Sequence, residues 1–174
     1  MPDIQAVFID RDGTIGGDGH FAHPANFKPY PNSLRAFALL KAQAIPMFAF
    51  TNQNRIAKGE ATLDEFKGEF RSYGFDDMFL CPHRSEDNCI CHKPRTGLLE
   101  KAAKTYHLDL RKTVVIGDVG ATDMLAAHGV GAIKILVQTG WGQGSMQKFR
   151  HTWAEVEPDF VAEDLLEAVQ WLVK

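Results

Sequence analysis

The feature that most constrains the fold of this chain is a series of short, largely apolar runs separated by segments whose apolar residues recur with helical spacing. The strand-like runs cover residues 6–9, 46–50, 78–80, 113–116 and 132–137. The helix-like segments cover residues 34–41, 63–73, 98–106, 124–128 and 165–172. Strands that are apolar throughout lie in parallel sheets covered on both faces. The pattern therefore predicts an α/β, Rossmann-like three-layer sandwich with a parallel sheet between two layers of helices.

Size and charge narrow the classes of protein further. With 174 residues, of which 45% are hydrophobic, we expect a single domain spanning residues 1–174 around one sizeable core. The net charge is −3 and the 19 basic residues are scattered, so no stripe favours nucleic acid or a membrane surface. The N-terminus lacks a secretory signal pattern and no run reaches membrane-span length, which predicts a cytoplasmic protein.

Acidic and polar residues follow several of the predicted strands. Asp10 and Asp12 come directly after the first strand, Thr51 after the second, and Asp118 after a later one. Open α/β sheets bind ligands at the carboxyl ends of their strands. Two carboxylates separated by one residue, on a chain that turns at Gly13, can converge on one magnesium ion and one phosphate group. Taken alone, the pair is equally typical of an acidic turn.

All three cysteines of the chain lie with His83 in residues 81–91. Three thiolates and one imidazole fill a tetrahedron, so Cys81, His83, Cys89 and Cys91 predict a closed, structural zinc site. An odd number of cysteines in a reducing compartment argues against a disulfide framework. The alternative is a set of free thiols beside a surface histidine. A bound zinc ion would order a loop of low apolar content that leads directly to Lys93.

Four short motifs occur in a characteristic order along the chain. They are Asp10-Arg11-Asp12-Gly13-Thr14, Thr51-Asn52-Gln53, Lys93-Pro94 and Gly117-Asp118, with Asp123 following. This order resembles the haloacid dehalogenase (HAD) superfamily, and the resemblance extends from Phe8 to about Leu136. It implies a phosphatase, a phosphoric monoester hydrolase, without a large cap domain. It also implies that Asp10 is a nucleophile forming an aspartyl-phosphate, and that Asp12 acts first as acid and then as base.

The same resemblance implies the remaining site residues. Magnesium would be held by the Asp10 carboxylate, the backbone carbonyl of Asp12 and Asp118. Phosphate oxygens would be bound by the second and third motifs, through Thr51, Asn52 and Lys93. The role of Asp123 stays open at this point, because it can support the metal site or cap the helix predicted to start near residue 124.

Within the superfamily, the cysteine-rich segment resembles small phosphatases that act on histidinol phosphate or on heptose bisphosphate. The short spacer between His83 and Cys89 favours the histidinol-phosphate group. His92 and Val119 stand where such relatives commonly have basic residues, which suggests either a different substrate or a less highly charged one. In the loops, His20 and His23 are either substrate contacts or solvated histidines. Trp141 is a pocket wall, a dimer contact or an ordinary packed aromatic.

We therefore predict a magnesium-dependent phosphatase with a structural zinc ion, acting on a small phosphorylated metabolite. A nucleotide or polynucleotide 3′-phosphatase is a less favoured enzyme, because the chain has no basic stripe for a nucleic-acid backbone. A phosphoacceptor module of the receiver type is a rival, but there the phosphorylated aspartate follows a later strand. The other rival is a non-catalytic scaffold that carries zinc. The sequence does not indicate an oligomeric state.

Overall fold

A computed structural model describes residues 3–174 and contains a six-stranded sheet with the order β3-β2-β1-β4-β5-β6. The strands are β1 (Ala6–Ile9), β2 (Met47–Asn52), β3 (Asp77–Cys81), β4 (Thr113–Gly117), β5 (Ile133–Val137) and β6 (Phe160–Ala162). Every pair of neighbouring strands is parallel. The chain runs outward from β1 to β3 and then returns to the other side of β1 at β4. This reversal of strand order creates a crevice at the carboxyl ends of β1 and β4.

Within residues 3–174, six α-helices accompany the strands, and several begin at residues suited to helix starts. They are α1 (Pro31–Ala42), α2 (Leu63–Ser72), α3 (Gly97–Tyr106), α4 (Leu125–Val130), α5 (Gly142–Met146) and α6 (Leu165–Leu172). Helix α2 starts with a capping box, in which Thr62 and Glu65 each bond the other's backbone N–H. At the start of α6, the Asp164 side chain accepts from Glu167 N. No helix in the described residues is long and apolar enough to cross a membrane.

The sheet is covered on both faces, and the alternation of side chains along β1 shows how. Val7 and Ile9 belong to a core packed under α1, α2 and α6, whereas Ala6 and Phe8 belong to the opposite core under α3 and α4. All four side chains are fully buried. The α/β sandwich with a parallel sheet is thus confirmed, and residues 3–174 include no large cap domain.

Three elements differ from the sequence-based prediction. Strand β6 was not predicted, because it has only three residues and lies between acidic residues at the sheet edge. Helix α5 was also missed, since two of its five residues are glycines. The helix predicted for residues 124–128 is α4, which starts one residue later and follows a π-helical turn, Gly120–Met124. The other predicted strands and helices lie within three residues of the observed bounds.

Candidate active site

Three carboxylates meet where β1 and β4 end side by side. Asp10 directly follows β1 and Asp118 directly follows β4, and the Asp10 N–H donates to Ile116 O at 3.0 Å. Asp123 reaches the same point from the π-helical turn. Carboxylate oxygens of Asp10, Asp118 and Asp123 all lie within 4.8 Å of one another, and all three residues are buried.

Two glycines make this close approach possible. Gly13 has a φ of +87°, and a Cβ at this position would lie 2.1 Å from Asp118 Oδ2. A Cβ on Gly117 would lie 2.1 Å from Asp123 Oδ2. Any side chain at either position would therefore push the loop that follows β1, or the π-helical turn, away from the carboxylates.

Lys93 supplies the positive charge at the centre of the cluster. Its ammonium donates to Asp10 Oδ1 at 3.0 Å, to Asp123 Oδ1 at 2.6 Å and to Phe50 O at 2.8 Å. Burial opposes this charge, but the negative charges of Asp10 and Asp123 outweigh burial and raise the pKa of Lys93. The side chain is therefore an ammonium at neutral pH.

One ammonium does not balance three buried carboxylates. Burial, together with the charges of Asp10 and Asp123, raises the pKa of Asp118 well above its ordinary value. Burial also raises the pKa of Asp123 to about 7, although Lys93 opposes this rise. A cluster of hard oxygen donors with excess negative charge has the chemistry that a divalent cation such as Mg²⁺ requires. Asp10 and Asp118 could hold such an ion together with Asp123.

The structure distinguishes between the two roles that the sequence left open for Asp123, a helix cap and a member of the metal site. Asp123 does not cap α4, because the residue preceding that helix is Met124 and makes no side-chain cap. Its carboxylate instead accepts from Lys93 Nζ and, at 3.2 Å, from Val119 N. Asp123 therefore lies within the acidic cluster.

Asp12 lies apart from this cluster and has partners on both carboxylate oxygens. Arg11 Nη1 donates to Oδ1 at 2.8 Å, and Gln53 Nε2 donates to Oδ2 at 2.7 Å. Burial raises the pKa of Asp12 to about 6; Arg11 opposes this rise, and the charge of Asp10 adds to it. A carboxyl group with this pKa can both donate and accept a proton near neutral pH.

Arg11 and Gln53 were not among the predicted site residues. Arg11 is fully buried, and its Nε and Nη2 donate to the two oxygens of Glu69 on α2, both at 2.7 Å. Gln53 donates to Thr51 Oγ1 at 2.9 Å as well as to Asp12. Arg11 stands between Asp10 and Asp12, and Gln53 follows Thr51 and Asn52, so no local pattern marked either residue.

The structure places Thr51 and Asn52 at the end of β2, close to the buried lysine. Thr51 is buried and its hydroxyl accepts from Gln53. The Asn52 amide pairs with the backbone of Lys93, accepting from Lys93 N at 3.0 Å and donating to Lys93 O at 3.3 Å. Asn52 thus fixes the segment that carries Lys93, and its predicted contact with phosphate stays a prediction.

The four predicted zinc ligands also converge. Cys81 ends β3, and its Sγ lies 3.5 Å from His83 Nδ1 and 3.6 Å from Cys89 Sγ. His83 Nδ1 lies 3.1 Å from Cys91 Sγ, and the four ligand atoms lie within 4.8 Å of one another. Zinc–ligand bonds of about 2.1–2.3 Å place tetrahedral ligands roughly 3.4–3.8 Å apart. Two of the three quoted separations lie in this range and the His83–Cys91 separation is shorter, so the four atoms are close enough together to share one zinc ion.

His92 lies beside the four predicted zinc ligands. Its Nδ1 is 3.9 Å from Cys81 Sγ, so the ring contacts the cysteine cluster. The loop is attached to the start of α3 by Arg95, which donates to Cys89 O at 2.6 Å, and by a backbone bond from Gly97 to Ile90 O. Order in the cysteine loop is therefore linked to the segment that contains Lys93.

The remaining loop residues border the acidic cluster to different extents. Trp141 N donates to Asp118 Oδ2 at 2.8 Å, and its indole ring lies 5.0 Å, between centroids, from the ring of His20. His23 contacts Glu65 on α2 at 3.3 Å. His20 is therefore linked to the acidic cluster through Trp141, whereas His23 contacts helix α2.

Comparisons with known proteins agree with this geometry. A family model described as HAD-hydrolase-like matches residues 90–168. The probable D-glycero-D-manno-heptose-1,7-bisphosphate 7-phosphatase of Thermoplasma volcanium is 32% identical over 131 residues, covering 69% of this chain and 89% of the relative. The D-glycero-beta-D-manno-heptose-1,7-bisphosphate 7-phosphatase of Pseudomonas putida is 31% identical over 156 residues, covering 83% of this chain and 89% of the relative.

A solved structure is similar over almost the whole chain. It is D,D-heptose 1,7-bisphosphate phosphatase from B. bronchiseptica complexed with magnesium and phosphate, with a TM-score of 0.82, 29% identity and 98% of each chain covered. The chain belongs to the HAD superfamily of hydrolases. Within that superfamily it is a phosphatase, a phosphoric monoester hydrolase. The histidinol-phosphate resemblance drawn from the short cysteine spacer is not confirmed by these relatives, which carry heptose bisphosphate names.

Proposed function

We propose that this phosphatase is magnesium-dependent and hydrolyses one phosphate monoester of a small sugar bisphosphate of the heptose 1,7-bisphosphate type. The observation that carries the proposal is the buried cluster of Asp10, Asp118, Asp123 and Lys93 at the crevice between β1 and β4. Relatives named for heptose bisphosphate, at 31–32% identity, support the substrate class.

In the first step, a carboxylate oxygen of Asp10 attacks phosphorus, and the bond from phosphorus to the leaving oxygen breaks. Asp12 gives its proton to that oxygen, which leaves as an alcohol. Lys93 balances negative charge at the cluster, and Thr51 and Asn52 bind phosphate oxygens. The Asp10 and Asp118 carboxylates and the Asp12 carbonyl would hold a magnesium ion, which would supply positive charge to offset that of the phosphate. The product of this step is an aspartyl-phosphate on Asp10.

In the second step, Asp12 is a carboxylate and takes a proton from water. The water oxygen attacks phosphorus, and the bond between phosphorus and the Asp10 oxygen breaks. Inorganic phosphate leaves, and both aspartates return to their starting states. The pKa of about 6 for Asp12 supports both roles, because the side chain must give a proton in one step and accept one in the next.

We further propose that Cys81, His83, Cys89 and Cys91 hold a structural zinc ion. Four protein ligands leave no coordination position for water or substrate. Lys93 follows Cys91 by two residues, so a fixed cysteine loop supports the position of the buried ammonium. In this proposal residues 1–174 form one catalytic domain, in which the loops around residues 15–31, 81–91 and 140–152 border the substrate.

The test is a comparison of kcat/KM across phosphorylated metabolites with magnesium present. The panel includes D-glycero-D-manno-heptose 1,7-bisphosphate, histidinol phosphate, sugar monophosphates and a nucleoside 3′-phosphate, with Asp10→Asn as the inactive control. We expect the heptose bisphosphate to have the highest kcat/KM, with phosphate released from position 7. A preference of about tenfold or more for another member, which is ~1.4 kcal/mol of transition-state binding, would reject this substrate class.

The covalent step has its own measurement. Acid quenching during turnover, followed by peptide mapping, should find phosphate on the peptide that contains Asp10. If substrate is consumed rapidly and this peptide never carries phosphate, the nucleophile assignment is wrong.

A further inference from the structure

We propose that Glu69 and Arg11 form a positioning pair that holds the Asp12 carboxylate in the orientation required for proton transfer. The inference rests on the proposed function, in which Asp12 is the acid and base. Neither residue needs to touch the substrate, because both act through Asp12.

The Arg11 guanidinium is fixed by contacts in its own plane. Nε and Nη2 donate to the two Glu69 oxygens at 2.7 Å, Nη2 also donates to Ala22 O at 2.8 Å, and Nη1 donates to Asp12 Oδ1 at 2.8 Å. A bidentate pair of this kind defines the orientation of the planar group as well as its position. With Nε and Nη2 occupied, Nη1 is the nitrogen left to face Asp12.

Aromatic rings restrict movement out of that plane. The guanidinium carbon lies 3.9 Å from the centroid of the Phe27 ring and 4.9 Å from that of Phe66. Arg11 is 0% exposed, and the Glu69 side chain is 5% exposed. Asp12 thus receives one of its hydrogen bonds from a group that has almost no freedom to rotate.

Stability alone gives a weak reason for such a pair. Removing two charges from water is costly, and well-packed apolar residues often stabilise a core equally well. What an apolar replacement could not supply is the directed N–H that reaches Asp12 Oδ1. The bidentate geometry of the Arg11–Glu69 pair therefore indicates that the charged pair serves to position Asp12.

The second oxygen of Asp12 is held independently. Gln53, which directly follows β2, donates to Oδ2 at 2.7 Å. Loss of the Arg11 contact would leave Asp12 attached at one oxygen, free to turn about its Cα–Cβ and Cβ–Cγ bonds. Misplacement of a catalytic group by about 1 Å can cost roughly a hundredfold in rate.

The effect should depend on the leaving group. An alkoxide needs a proton as it leaves, whereas an aryl oxide with a low pKa leaves with little protonation. In Glu69→Gln, an amide N–H replaces one acceptor and faces an Arg11 N–H, so the guanidinium must shift. We expect kcat/KM for an alkyl phosphate to fall about 10- to 100-fold and that for an aryl phosphate to fall less than about threefold.

The measurement is the ratio of kcat/KM for p-nitrophenyl phosphate to that for a simple alkyl phosphate, taken on one preparation. The ratio cancels the concentration of folded enzyme, so partial unfolding of a variant does not change it. Glu65→Gln is the matched control, because it makes the same substitution on the same helix at a carboxylate that contacts Thr62 and His23 instead. We expect a ratio raised about tenfold or more in Glu69→Gln and unchanged in Glu65→Gln.

Arg11→Lys separates charge from geometry. Lysine keeps the positive charge but lacks the planar fork, so we expect a ratio raised as in Glu69→Gln. A wild-type ratio in both Glu69→Gln and Arg11→Lys would overturn the positioning role.

Asp12→Asn distinguishes this failure from failure of the proposed function. If Asp12→Asn raises the ratio and the two positioning variants do not, Asp12 is the acid and the Arg11–Glu69 pair is only structural. If Asp12→Asn instead lowers kcat/KM equally for the aryl and the alkyl phosphate, Asp12 is not the acid. The positioning proposal is then wrong as well.

Discussion

Asp12→Asn should destroy turnover of alkyl phosphates and, in the same molecule, stabilise the fold. The Asp12 carboxylate is largely buried, with 15% of its side chain exposed. Burial opposes its ionisation, and Arg11 only partly compensates. An uncharged amide of almost the same shape removes this cost. The side-chain oxygen of the new asparagine can still accept from Arg11. If the Gln53 amide rotates by 180°, its oxygen can accept a hydrogen bond from the asparagine nitrogen.

The size of the effect follows from the pKa of Asp12, which is raised from its ordinary value of 3.8 to about 6. At roughly 1.4 kcal/mol for each tenfold change in proton affinity, the ionised form costs about 3 kcal/mol of folding free energy. Because the folded state binds the proton more tightly than the unfolded chain, the cost is absent below about pH 4. It grows between about pH 4 and 6 and is complete above pH 6.

The assay is urea unfolding of wild type and Asp12→Asn from pH 4 to pH 8, with a chelator that leaves zinc bound and removes magnesium. We expect the free energy of unfolding of the variant to exceed that of the wild type by up to about 3 kcal/mol at pH 7–8. The difference should approach zero near pH 4. A variant less stable than wild type at pH 8, or a difference independent of pH, would refute the reasoning.

Three further predictions concern the nucleophile and the two metals. Asp10→Asn should lose turnover by at least about a thousandfold while keeping its fold, because an amide does not attack phosphorus; turnover near wild type would exclude Asp10 as nucleophile. Brief treatment with a mild chelator should abolish activity, which magnesium alone should restore with about one zinc per chain retained; restoration by zinc instead would contradict a structural zinc site. Cys89→Ser should lower zinc content and the melting temperature, and reduce activity through Lys93; an unchanged zinc content would remove Cys89 from the ligand set.

The sheet was readable from the sequence because its central strands are buried on both faces. Residues 6–9 and 113–116 are continuous apolar runs, and β1 and β4 occupy these positions within one residue. Strand β6 could not be found in this way, since a three-residue edge strand is defined by its pairing with β5 and not by its own composition. The π-helical turn before α4 could not be predicted either, because five residues are too few to show a periodic pattern of apolar residues.

The site was predicted unevenly for a similar reason. Asp10 and Asp118 stand at the ends of strands, where position along the chain already determines position in space. Asp123 was ambiguous, because a residue just before a helix can cap it or turn toward the sheet, and only the packing of the π-helical turn decides. Its contact with Lys93 joins residues 30 positions apart, a separation that no local pattern describes.

Glu69 and Arg11 show what a local reading of the sequence leaves out. In α2, Phe66 and Phe70 are buried, and a residue three after one and adjacent to the other falls on the same apolar face. A glutamate at that position breaks the helix's amphipathic pattern, whereas Arg11 stands between Asp10 and Asp12, where a charged residue attracts no notice. Each is costly alone, since a buried charge requires a partner. Arg11 and Glu69 compensate each other across 58 residues, so the glutamate on the apolar face of α2 is the sequence signal of a buried ion pair, and its partner beside Asp12 is found only in the folded structure.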